Sequence, residues 1–92
     1  MKCEEKIPGG KLVCIDVQIS GGKASAVKIT GDFFLHPEEA IEKIERSLLG
    51  LSIDASESEI SSKIKRSLEH QGAQLIGASP EDLARIFKKA VS

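Results

Sequence analysis

Between Lys11 and Ile19 apolar residues recur at every second position, with Val13, Ile15, Val17 and Ile19 on one side and Leu12, Cys14, Asp16 and Gln18 on the other. That period is the signature of an extended strand with one face turned to a core, and its opposite face becomes polar toward the end. Ser20-Gly21-Gly22 supplies a hairpin turn, because glycine tolerates positive φ. The returning segment, Lys23 to Thr30, carries Ala24, Ala26, Val27 and Ile29. Its alternation slips between Ala26 and Val27, which reads either as a bulge or as a weak register. Ahead of the first strand, Lys2 to Lys6 form a charged lead-in and Pro8-Gly9-Gly10 a turn or tight approach.

After the hairpin the pattern becomes helical. Gly31-Asp32 bends or ends the second strand, and Phe33-Phe34-Leu35 either starts a third short strand or drapes across the sheet edge. Pro37 suits a first helical turn, where its missing amide proton costs nothing, and Glu38 and Glu39 suit the positive end. Ala40, Ile41, Ile44 and Leu48 form the stripe of this helix, with Leu49 at its margin, Gly50 as its stop, and Glu42, Lys43, Glu45 and Arg46 as a solvated face. Ser56 and Glu59 have the spacing of a reciprocal cap before a second helix built on Ile60, Ile64 and Leu68 and ending at Gly72. Its Lys63, Lys65 and Arg66 make a small positive group, which Glu59 and Glu69 temper. Gln71 to Gly77 is a short link, as a brief strand or a tethered loop. Ser79-Pro80-Glu81-Asp82 then opens a third helix with Leu83, Ile86, Phe87 and Ala90 inward. The expected fold is α+β, with residues 1–92 as one domain: a small antiparallel sheet that begins with a hairpin and is covered by three helices, mainly on one side.

Thirteen Lys plus Arg against fourteen Asp plus Glu leave a net charge of -1 without an evident basic face, which argues against nucleic-acid binding. No apolar run approaches the ~20 residues that span a bilayer, and the N-terminus lacks a signal peptide's hydrophobic block, so a soluble, cytoplasmic chain is expected. Cys3, Cys14, His36 and His70 lack metal-ligand spacing, and no metal site is expected. Nucleophile-elbow, HExxH and phosphate-loop motifs are absent. Asp16, Asp32, Glu38 and Glu39 could meet as an acid cluster only if the fold gathered them. His36 is the best lone candidate for proton transfer, although it has no paired group, and Asp32 suits an Asx-type turn. Two of the three aromatic residues, Phe33 and Phe34, are adjacent. Neighbouring extended residues point to opposite sides, so either both are buried against different elements or one marks a partner surface.

The segments Lys6-Ile7-Pro8-Gly9-Gly10-Lys11-Leu12-Val13 and Ile29-Thr30-Gly31-Asp32-Phe33-Phe34, the Pro37 helix, and Gly77-Ala78-Ser79-Pro80-Glu81 together resemble the small C-terminal accessory domain of lipoate-protein ligase. The resemblance runs through nearly the whole chain. In some members of that family the domain is fused to the large ligase domain, and in archaeal two-chain systems it is a separate polypeptide of similar length. The resemblance implies an assembled enzyme that converts lipoate and ATP to lipoyl-AMP and pyrophosphate, and then passes the lipoyl group to a lysine of an acceptor protein. It places the nucleotide site and catalytic lysine in the large domain. The chain itself is therefore expected to be a non-catalytic accessory subunit that binds no cofactor alone, with ATP, Mg2+ and lipoate belonging to the assembled enzyme. Its expected partners are the large catalytic subunit and, through the complex, lipoyl-acceptor proteins. Lys6, Gly9, Gly10 and Lys11 form one expected partner-facing corner; Gly31, Asp32, Phe33 and Phe34 form another. The alternative is a general protein-interaction or sulfur-transfer adaptor, which would need an accessible, activated thiolate at Cys3 or Cys14.

Overall fold

The alternation along the first long strand decides which face of the sheet is covered. The computed structural model describes residues 1–9 and 11–92, and in it Leu12–Ser20 forms β2, with Val13, Ile15 and Val17 fully buried. β3, Lys23–Gly31, returns antiparallel to it through the Gly21-Gly22 turn. Gln18 pairs with Ala26 and Ile19 with Ala24, so Ser25 is an extra residue. This bulge lets Ala24 and Ile29 both point inward although four residues, an even number, lie between them. The slip in the sequence pattern is thus a bulge, displaced slightly toward the turn.

Lys2–Lys6 is a strand, β1, and the sheet order is β1-β2-β3. This corrects the reading of these residues as a lead-in. Cys3 lies opposite Ile15 and Glu5 opposite Val13, which turns both toward the covered face. There Arg85 donates from Nε and Nη2 to Glu5 Oε2 at 3.0 and 2.7 Å, and Lys89 Nζ donates to Glu5 Oε1 at 2.6 Å. Glu5, the inward-facing charge of the strand, is thus satisfied by a helix from the far end of the chain.

That helix, α3 (Pro80–Val91), lies against β1 and β2, while α1 (Ala40–Ser47) lies against β3. α2 (Glu57–Gln71) packs on both helices, so the helical layer is itself two deep on one side of the sheet. Phe87, Ile15, Ile44, Leu48, Ile60 and Ile64 are among the fully buried side chains, each contributing roughly 1.5–3 kcal/mol by leaving water. α3 starts with a complete capping box: Ser79 Oγ accepts from Asp82 N–H at 3.0 Å, and Asp82 Oδ2 accepts from Ser79 N–H at 3.1 Å. α2 has half of one, in which Ser56 Oγ accepts from Glu59 N–H at 3.1 Å.

α1 begins later than Pro37. Pro37, Glu38 and Glu39 form a lead-in turn, their carbonyls accepting from the Ala40, Ile41 and Glu42 amides at 3.0, 3.2 and 3.2 Å. Glu45 also departs from the expected solvated face, because its Oε2 accepts the Ile29 amide of β3 at 2.7 Å. Further along the same strand, Ala24 N–H donates to Leu51 O at 2.9 Å and accepts at its own carbonyl from Gly50 N–H at 2.8 Å. Among the described residues no helix is long and apolar enough to cross a membrane.

Candidate functional site

Gly31 is where β3 leaves the sheet, and only glycine fits there: a Cβ at this position would run into the carbonyl oxygen of Leu12. Asp32 N–H then donates to that same oxygen at 2.8 Å. The chain, pinned against Leu12, continues into β4 (Phe34–His36), which pairs antiparallel with β5 (Gln74–Ile76) as a separate two-stranded ribbon. Leu35 faces the core, and Phe33, on the same side by alternation, is half-buried against it. Phe34 points the other way and is 65% exposed; its direct cross-strand partner Ile76 is 58% exposed.

Gly77 joins this ribbon to the other expected corner. The place a Cβ would take at Gly77 lies 3.6 Å from both Lys11 Cγ and Phe33 Cα, so the Lys11 stem passes over a bare backbone beside Phe33. The Lys11 carbonyl accepts from Ile7 N–H at 2.8 Å, and Lys6 stands opposite Leu12 in the β1–β2 ladder. The two expected corners are therefore one surface, on which Lys6, Gly9, Lys11, Leu12, Gly31, Asp32 and Phe34 are all exposed. Gly10 lies outside the described residues. Ile76 and Gly77 complete the surface and were not in the expected set.

Beside Phe34 opens a shallow recess of about 290 Å3, lined by Ile29, Phe33, Leu35 and Ile41, with Glu38 as its charged group. Such a site can receive an apolar side chain; it has no machinery for bond making. Asp32 makes no side-chain hydrogen bond among the described residues, so the expected Asx contact is replaced by its amide bond to Leu12. His36 is exposed, opposite Gln74. Cys3 and Cys14 are free thiols on opposite faces of the sheet, Cys3 turned to the core side with Ile15. Among the described residues no three His, Cys, Asp or Glu side chains converge as metal ligands.

The carboxylates with perturbed acidity lie elsewhere, on α3 and its partners. Hydrogen bonds from Lys89 and Arg85 hold Glu5 below the ordinary glutamate range. Burial opposes ionisation of Asp82, but hydrogen bonds from Ser79 and Arg85 outweigh it and leave its carboxyl below the usual value. These are structural ion pairs rather than poised acids and bases.

Residues 1–87 match the protein family described as bacterial lipoate protein ligase C-terminus. The chain belongs to the lipoate-protein ligase C-terminal family. A relative within reach of this assignment is lipoate-protein ligase A subunit 2 of Thermoplasma acidophilum, 31% identical over 77 residues that cover 84% of this chain and 77% of the relative. A solved structure of a bi-partite lipoate protein ligase and its E2 lipoyl domain from the same archaeon contains a chain with the same fold, at a TM-score of 0.73 and 28% identity over 100% of this chain and 93% of that one. In this accessory fold Lys11 and Leu12, at the start of β2, lie beside Gly31, Asp32 and Phe33 of the Gly-Asp-Phe-Phe motif, a closeness that their separation in sequence conceals. The missed member of the accessory domain's surface, Ile76, carried one usable signal: like Phe34, it is a large apolar residue beside another in a short segment next to a glycine.

Proposed function

We propose that this chain is the non-catalytic accessory subunit of a two-chain lipoate-protein ligase, and that it docks on a large catalytic chain through the Lys11–Gly31–Phe34–Ile76 surface. One observation carries the reading of the surface. Phe34 and Ile76, large apolar side chains paired across β4 and β5, are turned out of the core on a backbone shaped by Gly31 and Gly77. Exposed aromatic and aliphatic anchors beside a recess are what a protein interface buries at its centre. Lys11 and Lys6 at the margin supply positive charge to a partner's acidic rim.

In the assembled enzyme the carboxylate of lipoate displaces pyrophosphate from ATP to give lipoyl-AMP, and a lysine of the acceptor then displaces AMP to give the lipoyl amide. Both steps take place on the large chain. The accessory chain acts by covering: its rigid corner holds the large chain in the adenylating arrangement and keeps water from the activated acyl group. Acceptor proteins meet it only as part of the complex.

The test mixes a large ligase chain that lacks its own C-terminal unit with this chain and measures pyrophosphate released from lipoate and ATP. Stimulation together with co-elution is the expected result. Absence of both a complex and stimulation overturns the proposal.

A further inference from the structure

The open groove between α1 and α2 is lined by Lys43 of α1 and by Lys63, Arg66, Ser67, His70 and Gln71 of α2, and its volume is about 520 Å3. No carboxylate is among its lining residues. This is a local excess of positive charge on a chain whose net charge is -1. The sequence pattern grouped Lys63 and Arg66 with Lys65 as a solvated face tempered by Glu59 and Glu69. The structure sorts them differently. Lys65 turns away to pair with Glu81 at 2.6 Å. Lys63 and Arg66 turn into the groove, where Lys43 joins them from the other helix.

The hydrogen-bond inventory of this groove favours an anion. Gln71 Nε2 is committed to Ser67 O and Oγ at 3.0 and 2.9 Å, and Ser47 Oγ on the opposite wall donates to Ile44 O at 2.6 Å. The ammonium groups of Lys43 and Lys63 and the guanidinium of Arg66 form no ion pair within 4.0 Å among the described residues, although Glu39, Glu59 and Glu69 stand at helical spacing from them. The cations of the α3 side contrast with these: Arg85 and Lys89 bind Glu5, and Lys88 Nζ donates to Ile53 O and Ala55 O at 2.9 and 2.8 Å. What remains in the groove is a set of donors that no carboxylate engages within 4.0 Å among the described residues.

We propose that this groove docks an acidic segment of a partner protein, with Lys43, Lys63 and Arg66 receiving its carboxylates. From Lys63 to His70 the α2 wall runs about 10 Å at ~1.5 Å per residue, the length of roughly three residues of extended chain and longer than a single phosphate can bridge. Among its lining residues the groove has no glycine loop for phosphate, and its one ring is the His70 imidazole, so the row of Lys43, Lys63 and Arg66 suits a carboxylate-rich peptide better than a nucleotide. The site is separate from the Phe34 surface: Ile41 of α1 lines the apolar recess and Lys43 the basic groove, so the helix stands between them. It does not depend on the docking reading above and can fail without it.

The experiment titrates the isotopically labelled 92-residue chain with an acetylated hexaglutamate peptide and follows backbone amide shifts. Saturable shifts confined to the groove walls, residues 43–47 and 63–71, are expected. The double variant Lys63→Glu/Arg66→Glu and the single variant Lys43→Glu on the opposite helix should each weaken binding at least tenfold while retaining the folded spectrum. Lys65→Glu, which reverses a charge on the same helix but outside the groove, should leave binding within twofold. Shifts scattered over the surface, or equal weakening by Lys65→Glu, overturn the proposal as mere net-charge attraction. Tighter binding of inorganic tripolyphosphate than of the peptide overturns it in favour of a small-anion site.

Discussion

β2 and β4 use the same alternation to opposite ends. In β2 the inward set, Val13, Ile15 and Val17, meets α3 and disappears from solvent, while the outward set is mainly polar. In β4 the inward residue Leu35 is buried, but the outward one is Phe34, matched across the ribbon by Ile76. The long sheet closes its apolar account within the chain, and the short ribbon leaves an apolar pair for something else to cover. The difference teaches where to look for function on a fold without a catalytic cluster: at the strand whose outer face breaks the polar rule.

Paired truncations break or sharpen that contrast most strongly. Phe87→Ala, inside the core on α3, should cost about 3–5 kcal/mol of stability, read as a large loss of urea midpoint or outright unfolding. Phe34→Ala should change stability by less than about 0.5 kcal/mol, because the ring already stands in water. Its effect belongs to binding: affinity for a large ligase chain should fall by about 2 kcal/mol, roughly thirtyfold, in a titration calorimeter. An unfolded Phe34→Ala protein would place the ring in the core and erase the distinction between the two strands.

Gly31→Ala tests the hinge between the regions. The added methyl meets the Leu12 carbonyl oxygen and sits 3.1 Å from the Phe33 ring, so either the exit from β3 or the ring must move. A loss of more than about 1 kcal/mol in thermal unfolding is expected, accompanied by weaker partner binding. The smallest effect is electrostatic and confined to the closed half. Glu5→Gln removes a carboxylate held below its ordinary value by Lys89 and Arg85. A depressed carboxylate stabilises the fold fully above about pH 4.5, the ordinary glutamate value, and that contribution disappears as pH falls through the lower folded-state value. The variant should therefore lose about 1 kcal/mol at neutral pH and almost nothing once pH is below the folded-state value, flattening the acid limb of its stability curve.

The parts of this fold legible in the sequence are those in which one segment carries its own evidence. The β2–β3 hairpin, the buried stripes of α2 and α3, and the Ser79 cap all follow from local spacing, and each stands where its residues predicted. β1 escaped because Lys2, Glu4, Glu5 and Lys6 leave a single apolar residue, Cys3, to show an alternation. What makes it a strand is the open side of β2 and the cations of α3, neither of which is visible within five residues. The Phe33-Phe34 corner was identified from its aromatic pair, but its unity with Lys11 depends on Gly77, which only the β4–β5 pairing brings near. The α1–α2 groove was hidden for a related reason. Charges counted along one helix appeared balanced, and the balance vanished once Lys65 turned to α3 and Lys43 arrived from α1.

The bond from the Ile29 amide to Glu45, with the Gly50–Ile53 link alongside Ala24, has a consequence for life at high concentration. Unpaired amides along the flank of a sheet invite a second molecule to add its own strand, and stacking of that kind ends in fibres. Here one flank is already occupied by a carboxylate and a loop, and the other is a short strand studded with Lys2, Glu4 and Lys6. The three-stranded sheet that carries the core therefore offers neither flank as a template for strand addition.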